Sequence, residues 1–455
     1  MKRYLLSALL LLFLPVFLAA QSRGSYFFEN SLLRSKLNAA FAPQTRYISV
    51  PILGSTSIDI ASNVGLGNFL FPYHNKTYTF VNDNISAETF FNKLPDKDSY
   101  VTARIETDLL GGGMPVGENG YATVSLSVVG CGSGVLPTDL LRFAKLGRTA
   151  DTHQWDMEGL KGSIYRYASL AAGYSYDLGS LVEGLRVGGR VHLLIGLSAA
   201  QLDLDRISVR MDEDLFSIRL DGDGRLSGYE YLLRDDFKWQ RLTKRKIALG
   251  DLGLRGIGTA IDLGVEYRLP LGGFFESVNL SASVNDLGFI WFNRKIKNLS
   301  YDGSFDFSGF EDLDRSGLSG MIDGVIEDMK DLARPEVSDG RSLFQRLSPS
   351  IYAGADLPFN VYAFRMHAGL LYYRTLGRNN LMASYGLSPF EWLNLGVNWT
   401  FLGPAGRFGF YAEFIPYKYV GLFFGMERAG FRRNSDHLAL RNFTDSFSFG
   451  VNVLL

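Results

Sequence analysis

The sequence predicts an all-β fold, namely a transmembrane antiparallel β-barrel of about 14 strands (12–16) with a small helical insertion. Three observations predict it. Many segments alternate apolar and polar residues with a period of two, which places the two classes on opposite faces of a strand. The chain of 455 residues holds 50 glycines and 14% aromatic residues, a composition typical of sheets and large barrels. After the first 20 residues, no uninterrupted apolar run is long enough to cross a bilayer as a helix.

The first 20 residues have the features of a signal peptide. A basic start, Lys2 and Arg3, precedes an apolar run that ends in the small residues Ala19 and Ala20. That run is too short and wrongly flanked for a membrane-spanning helix. We therefore expect the chain to be exported, to lose residues 1–20, and to reside in the cell outer membrane.

The mature chain divides into two parts. Residues 21–46 mix aromatic and charged side chains without a clear period, which predicts an N-terminal lead-in or plug-like segment. Strand patterns follow, so the predicted outer-membrane β-barrel covers residues 47–455. Residues 300–345 break the strand rhythm, because apolar residues recur there at helical spacing between Ser319 and Pro335. This stretch is the predicted helical insertion.

The predicted strands carry one apolar face and one polar face. Leu263 and Val265, for example, oppose Asp262 and Glu266. A soluble sheet would turn the apolar face inward, whereas an outer-membrane barrel turns it toward lipid and keeps the polar face in the lumen. In chain order, the predicted strands cover residues 48–60, 101–109, 121–128, 167–178, 185–199, 257–269, 278–284, 351–357, 362–373, 381–387, 393–401, 408–414, 420–426 and 445–455.

The connections between these strands contain a few further elements. Residues 65–99 are rich in loop-forming residues, and a short helix is predicted over 139–145 with Thr138 as its N-cap. Residues 202–232 are expected to form further short strands around a turn at 221–224.

Charge and cysteine content exclude several classes of function. Lysine and arginine together number 46, and aspartate and glutamate number 47, so no basic excess is available for phosphates and we expect no nucleic-acid partner. Cys131 is the only cysteine of the sequence, which leaves no disulfide framework and no thiolate metal site. The glycine-rich residues around it lack the strand–helix–strand context of a nucleotide-binding loop.

The polar faces of the predicted strands supply the candidate functional residues, which would converge on the barrel interior. In one interpretation they set the passage or binding of a solute. In the other they pair with one another and brace a closed barrel, which their mixed signs favour. These lumen-lining candidates are Arg104, Glu106, Asp108, Arg186, Arg190, His192, Asp262, Glu266, Arg268, Arg365, His367 and Glu413.

Catalytic and metal-binding patterns are absent from the sequence. The five histidines lack the paired spacing of a zinc site, and no nucleophile-elbow motif occurs, so we expect neither an enzyme nor a cofactor. One acidic stretch partly follows the spacing of a calcium loop, but it contains an arginine and lacks a preceding helix. Acidic residues that favour a helix N-terminus are the preferred interpretation. The weak calcium candidates are Asp312, Asp314, Ser316 and Asp323.

Several stretches carry a resemblance to a known family: residues 25–30 with 37–38 and 42–43, residues 48–54, residues 261–264 and residues 284–290. They resemble a family of functionally unassigned outer-membrane barrels from Bacteroidota, which is similar in general layout to the FadL-like and PorV-like barrels. The resemblance runs over nearly the whole mature chain. It implies an outer-membrane barrel, places residues 285–288 at a hairpin or strand end, and assigns no functional residues.

An exported barrel of this kind has two functional interpretations. In the first, it passes or binds a small, amphipathic solute through a charged lumen, so that its partners are outer-membrane lipid and that solute. The alternative is a structural or interaction barrel that serves a secretion or surface-assembly machine, with a protein partner in the cell envelope and no transport of its own. A secreted, soluble all-β protein is a third interpretation, which requires the apolar faces to be buried.

Overall fold

The computed structural model describes residues 23–43, 45–73, 76–95, 98–147, 153–211, 216–229, 253–307, 335–402, 407–415, 419–429 and 443–455. The strands are β1 (Tyr47–Ser49), β2 (Thr56–Ser62), β3 (Leu70–Tyr73), β4 (Lys76–Thr79), β5 (Ser99–Val116), β6 (Gly120–Leu136), β7 (Gln154–Met157), β8 (Leu160–Asp177), β9 (Leu185–Met211), β10 (Phe216–Ser227), β11 (Gly256–Pro270), β12 (Ser277–Phe292), β13 (Ile296–Phe307), β14 (Glu336–Gly340), β15 (Leu343–Arg346), β16 (Ser350–Val361), β17 (Phe364–Thr375), β18 (Arg378–Phe390), β19 (Leu393–Thr400), β20 (Arg407–Phe414), β21 (Val420–Ala429) and β22 (Phe443–Leu454). The helices are α1 (Arg34–Leu37), α2 (Leu66–Phe69), α3 (Ala87–Phe91) and α4 (Thr138–Leu146), and Arg23–Ser25 form a 3-10 turn. In the described ranges, no helix combines the length and apolar character needed to cross a lipid bilayer.

The wall is a closed antiparallel barrel of 14 strands, as the sequence predicts. β1 and β2 together form the first wall strand, since both pair with β22 on one side and with β5 on the other. The wall then follows chain order through β5, β6, β8, β9, β11, β12 and β16 to β22. Because β22 returns to the first strand, the described wall has no free edge.

The two ends of the barrel differ in the length of their connections. At one end, called the short-turn end, only Tyr362 and Ala363 separate β16 from β17. The wall also begins and ends there, since Tyr47 pairs with Leu454. At the opposite end, called the long-loop end, residues 293–349 separate β12 from β16.

The sheet continues past the wall at the long-loop end. β9 is 27 residues long, and it pairs with β11 along its first half and with β10 along its second half. β13 pairs with β10, and β14 with β13. Residues 221–224, predicted as a turn, lie inside β10, so that prediction is wrong. A register shift between Asp221 and Gly222 absorbs this glycine-rich sequence within the strand.

The predicted helical insertion over 300–345 is wrong at both of its ends. Its described residues form the end of β13, β14 and most of β15, because β10, β13 and β12 respectively offer them partners for ladder hydrogen bonds. The helix expected between Ser319 and Pro335, the calcium candidates and residues 1–20 lie outside the described residues. The helix predicted over 139–145 corresponds to α4, with Pro137 rather than Thr138 at the N-cap position.

Neighbouring side chains of a wall strand have opposite surroundings. Leu263 is 55% exposed on the outer face of β11, whereas Asp262 beside it is 3% exposed on the inner face. On β5, Ile105 is 48% exposed and Asp108 is 3% exposed. The alternation read from the sequence therefore corresponds to an apolar exterior and a polar interior.

Exposed aromatic side chains gather near both ends of this exterior. At the short-turn end, Trp392 stacks on Phe390 with ring centroids 4.9 Å apart and meets Phe414 edge-on at 5.4 Å. Toward the long-loop end, Trp399 and Phe401 are in contact at 6.5 Å. The outer surface is thus an apolar band between two aromatic belts.

Residues 285–288 lie inside β12 and not at the hairpin or strand end that the resemblance implies. The ladder with β11 skips between Ile261 and Leu263, so that two residues of β12 stand opposite Asp262. One of them, Asp286, has a left-handed φ of 59°, which a short polar residue tolerates better than a branched one. The stretch is a β-bulge that turns both carboxylates toward the interior.

Candidate functional site

Residues 23–43, called the N-terminal segment from here on, lie inside the barrel. Tyr26 is fully buried and Phe28 is 2% exposed. Tyr26 stacks on Tyr352 of β16 at 6.0 Å between ring centroids, and Phe28 packs on Tyr411 of β20 at 5.4 Å. The segment therefore occupies interior space that a wall of this size is too wide to fill with its own side chains.

Local turns hold the backbone of the N-terminal segment. The Tyr26 amide donates to the Arg23 carbonyl at 3.0 Å, and the Ser31 amide donates to the Phe28 carbonyl at 3.0 Å. These turns satisfy backbone groups that have no strand partner. The side chains are left to contact the wall.

Two cations of the N-terminal segment pair with wall carboxylates. Arg34 Nη2 lies 2.8 Å from Glu266 Oε1, and Lys36 Nζ lies 2.6 Å from Asp108 Oδ2. The carboxylates are largely hidden, at 16% and 3% side-chain exposure. A buried carboxylate that loses its partner is strongly destabilising, so each pair ties the segment to the wall.

The two remaining charged residues of the segment are paired as well. Arg23 Nη2 lies 3.0 Å from Asp59 Oδ1 of β2. Glu29 accepts from Arg365 at 2.7 Å and also from Arg268, both near the short-turn end. Every charge of the segment therefore meets an opposite charge on the wall.

Uncharged side chains of the wall bind the backbone of the segment. Ser283 Oγ donates to the Leu37 carbonyl at 2.7 Å, and Asn285 Nδ2 donates to the same oxygen at 2.9 Å. In return, Asn38 Nδ2 donates to the carbonyls of Val265 and Ala282 at 3.2 Å. A search for charges misses these residues, although Ser283 and Asn285 stand on the polar face of β12 that the alternation defines.

Two glycines let the segment approach the wall closely. A Cβ at Gly264 would collide with the side chain of Asn38, and a Cβ at Gly188 would collide with the carbonyl of Ala39. Both glycines lie on wall strands, β11 and β9, where a side chain would stabilise the sheet better. Their presence is explained by the segment that they accommodate.

A cavity of about 80 Å³ remains between the N-terminal segment and the wall strands β1, β5, β6, β8, β9, β11, β12, β16 and β22. We call it the inner cavity. It has room for several water molecules. Its lining includes three cations, Lys36, Arg104 and Arg190, and four carboxylates, Glu106, Asp108, Asp262 and Asp286, together with His192.

The charges around the inner cavity are paired in two groups. Arg104 Nη2 lies 3.0 Å from both Glu106 Oε2 and Asp286 Oδ2. Asp262 Oδ2 lies 3.0 Å from Arg190 Nη1 and 3.0 Å from His192 Nε2. The lining is polar and internally compensated, so it suits water and a polar solute better than an apolar one.

The wall is interrupted beside the inner cavity. The ladder stops at Ser49 of β1 and resumes at Thr56 of β2, and the residues between them carry only isolated bonds to the neighbouring strands, such as Val451 N of β22 to Leu53 O at 2.7 Å and Asp108 N of β5 to Ser55 O at 2.9 Å. Ile52, in the middle of the interruption, has a φ of 68° and is 62% exposed on the outer side.

The structure divides the twelve lumen-lining candidates between several places. Six line the inner cavity: Arg104, Glu106, Asp108, Arg190, His192 and Asp262. Glu266, Arg268 and Arg365 bind the N-terminal segment, and Arg186 pairs with Asp177 at 2.9 Å. Glu413 accepts from Asn394 at 2.9 Å, and His367 packs against Phe28. That any of them contacts a solute stays a prediction.

A second cavity of about 1040 Å³ lies at the short-turn end, on the other side of the segment. We call it the vestibule. Turn residues such as Ala363 and Ile415 contribute to its rim. Its lining includes Phe27, Phe28, Asp356 and His367, with Phe390 and Trp392 at the rim.

In the described part of the chain, no group of three or more histidine, cysteine, aspartate or glutamate side chains has an arrangement that could hold a metal ion.

Comparison with known proteins identifies a family. A family model described as "Family of unknown function (DUF5723)" matches residues 39–425. No curated protein matches the sequence of the chain.

Several solved barrels are similar in structure. A Pseudomonas aeruginosa FadL homologue has 11% identity and a TM-score of 0.40, over 96% of this chain and 98% of that chain. The Pseudomonas putida toluene transporter TodX has 9% identity and a TM-score of 0.34, over 96% and 95%. The translocator domain of the autotransporter NalP from Neisseria meningitidis has 10% identity and a TM-score of 0.36, over 92% and 93%. Because these identities and TM-scores are low, the assignment of a barrel fold is based on the strand pairing of this chain itself.

Proposed function

The chain belongs to DUF5723, a family of unknown function, and we propose that it is an outer-membrane β-barrel that passes or binds a small, amphipathic solute through its charged lumen. The observation that carries the proposal is a polar cavity kept inside an apolar wall by a non-covalently held N-terminal segment. We infer that this segment is a plug.

The exterior supports a position in the outer membrane. Exposed aliphatic residues such as Leu263 and Val191, at 55% and 61%, would meet acyl chains, and the aromatic belts would lie at the two lipid–water interfaces. In such barrels the short turns face the periplasm and the long loops face outward. A signal peptide over residues 1–20 would deliver the chain there.

The contacts of the plug support a movable closure. Four charged side chains, a few hydrogen bonds and the aromatic contacts of Tyr26 and Phe28 hold the N-terminal segment without any covalent bond to the wall, and its polar groups would find partners in water if the segment shifted. If Lys36 moved away from Asp108, the volume that its side chain now occupies would be added to the inner cavity. The solute path would then be lined by the mixed charges of β5, β9 and β11.

The direct test is solute flux through protein reconstituted in liposomes. The paired substitution Lys36→Met with Asp108→Asn removes one tie and leaves no uncompensated charge between the two residues. We expect the efflux of small sugars and amino acids to rise several-fold over the native protein. Lys161→Met, which removes an exposed ion pair with Asp203, is the matched control and should leave the flux unchanged.

A structural or interaction barrel is the second candidate, and one observation favours it. The carboxylates of the inner cavity pair with arginine, lysine or histidine, the arrangement expected of a braced interior. This candidate predicts no flux from the native protein or the Lys36→Met/Asp108→Asn variant, and co-purification of a stoichiometric envelope protein. Such a result would overturn the transport proposal.

A further inference from the structure

The vestibule contains two buried polar atoms that lack hydrogen-bond partners. Among the described residues, neither Asp356 Oδ1 nor His367 Nε2 has one. Both side chains line the vestibule, and the residues are only 4% and 6% exposed. A buried polar atom without a partner destabilises the fold, and more so when the group is charged. Two of them in one cavity wall point to a ligand that supplies the missing bonds.

The fold places these two side chains side by side. Asp356 of β16 pairs with Gly369 of β17, and His367 pairs with Pro358. Residues two apart on a strand share a face, so both side chains project from adjacent strands toward the same interior space. The imidazole of His367 lies against Gly386 of β18, whereas Asp356 stands on the β16 side of β17, so a ligand on this face would contact the two side chains at different points.

The charge of the vestibule selects the sign of that polar group. Arg365 lines the cavity but is already bound to Glu29 at 2.7 Å. Glu391 adds another acidic residue to the lining. Asp356 takes part in no ion pair among the residues that the structure describes. The lining is therefore negative in excess, and a cationic hydrogen-bond donor fits it better than an anion.

The vestibule also has an aromatic part. Phe27 and Phe28 flank His367 at 5.9 and 4.5 Å between ring centroids, whereas the exposed pair Phe390 and Trp392 of the outer belt borders the cavity only at its rim. Aromatic faces attract both apolar groups and ammonium ions. A molecule with an apolar body and an ammonium end matches both features.

We propose that the vestibule binds a small amphipathic amine, with its ammonium group on Asp356 and its apolar body against Phe27, Phe28 and the ring of His367. The two polar atoms are covered in the unliganded barrel, so binding turns the Asp356 carboxylate toward the cavity. The inference deepens the proposed function by naming the solute class and rests on it in that respect, whereas binding itself requires no passage.

The test uses three probes that share a phenyl body: 2-phenylethylamine, 2-phenylethanol and 3-phenylpropanoate. Equilibrium dialysis against the full-length protein in nanodiscs, with empty nanodiscs as the blank, measures binding of each. We expect the amine to bind about tenfold or more tightly than the alcohol and the carboxylate. Equal binding of the three, or preference for the carboxylate, overturns the proposal.

Asp356→Asn keeps the shape of the side chain and removes its charge. It should weaken amine binding about tenfold and leave alcohol binding within about twofold. Asp203→Asn, which removes an exposed carboxylate at the long-loop end, is the control and should change neither. Heat-modifiable migration on a gel verifies that each variant is folded, so an unchanged affinity in folded Asp356→Asn protein also overturns the proposal.

The binding experiment and the flux experiment test the two proposals independently. Amine binding without flux in liposomes would sustain the vestibule site and contradict transport. Flux without selective amine binding would contradict the vestibule site and sustain the proposed function.

Discussion

At the scale of single residues, the interior depends on charges whose partners lie far away in sequence. Arg34 and Glu266 are separated by 232 residues, yet their side chains meet at 2.8 Å with 8% and 16% exposure. In such surroundings a pair is stabilising mainly because the loss of either partner is so unfavourable. Each of these residues therefore contributes to stability mainly by compensating the charge of its partner.

Replacement of Arg34 by Met should lower the free energy of unfolding by about 3 kcal/mol, because Glu266 would remain as an uncompensated charge. Adding Glu266→Gln should recover more than half of that loss. Urea unfolding of the micelle-bound protein, followed by tryptophan fluorescence, measures both. Lys161→Met at the exposed pair with Asp203 should change the same quantity by less than about 1 kcal/mol. Equal losses in the single and double variants would contradict this account.

At the scale of elements, the segment and the wall are complementary in shape as well as in charge. α1 and the residues after it lie against β9, β11 and β12, where glycine and small polar residues face inward. A wall strand without this contact would gain from larger side chains at those positions. The inner faces of these strands are thus shaped by what they enclose.

Gly264→Ala should displace the N-terminal segment, because the added Cβ would collide with Asn38. The expected result is several-fold faster trypsin cleavage after Arg34 and Lys36 in the otherwise folded barrel. Gly162→Ala is the matched control, since a Cβ on that β8 glycine meets open space. Identical digestion of the two variants would show that the segment does not depend on this close approach.

The wall could be predicted from the sequence because the apolar–polar alternation within each strand identifies its outer and inner faces, as Leu263 and Asp262 illustrate. Local patterns failed where tertiary pairing overrides them: the glycine–aspartate run at 221–224 is absorbed in β10, and the bulge at Asp286 resembles a turn. For the candidate site, the charged residues were visible as the polar phase. The sequence did not show which of these charged residues form pairs, because a pair such as Lys36 with Asp108 depends on the path of the N-terminal segment through the barrel.

At the scale of the whole molecule, the barrel has two distinguishable ends. Short connections and both ends of the wall lie on one side, and long connections with an added sheet lie on the other. A membrane protein inserted in one orientation would expose only the second side to the medium. Cys131, the single cysteine, is 8% exposed and gives a low labelling background.

Single engineered cysteines should report this orientation. Asp339→Cys, at an exposed position of β14 at the long-loop end, should react with a membrane-impermeant maleimide on intact cells. Tyr362→Cys, at a 99% exposed turn position of the short-turn end, should react only after the outer membrane is permeabilised. Labelling of both on intact cells, or only of Tyr362→Cys, would contradict the assigned orientation.

Arg23 spans the junction between the first and last strands of the wall. Its guanidinium donates to Asp59 of β2 at 3.0 Å and to Ser446 of β22 at 3.1 Å, and Ser446 donates to Asp59 at 2.6 Å. Arg23 is 2% exposed and stands on the inner side of this junction. Because one guanidinium contacts both the first and the last wall strand, seating of the amino-terminal residues would favour the strand pairing that closes the cylinder.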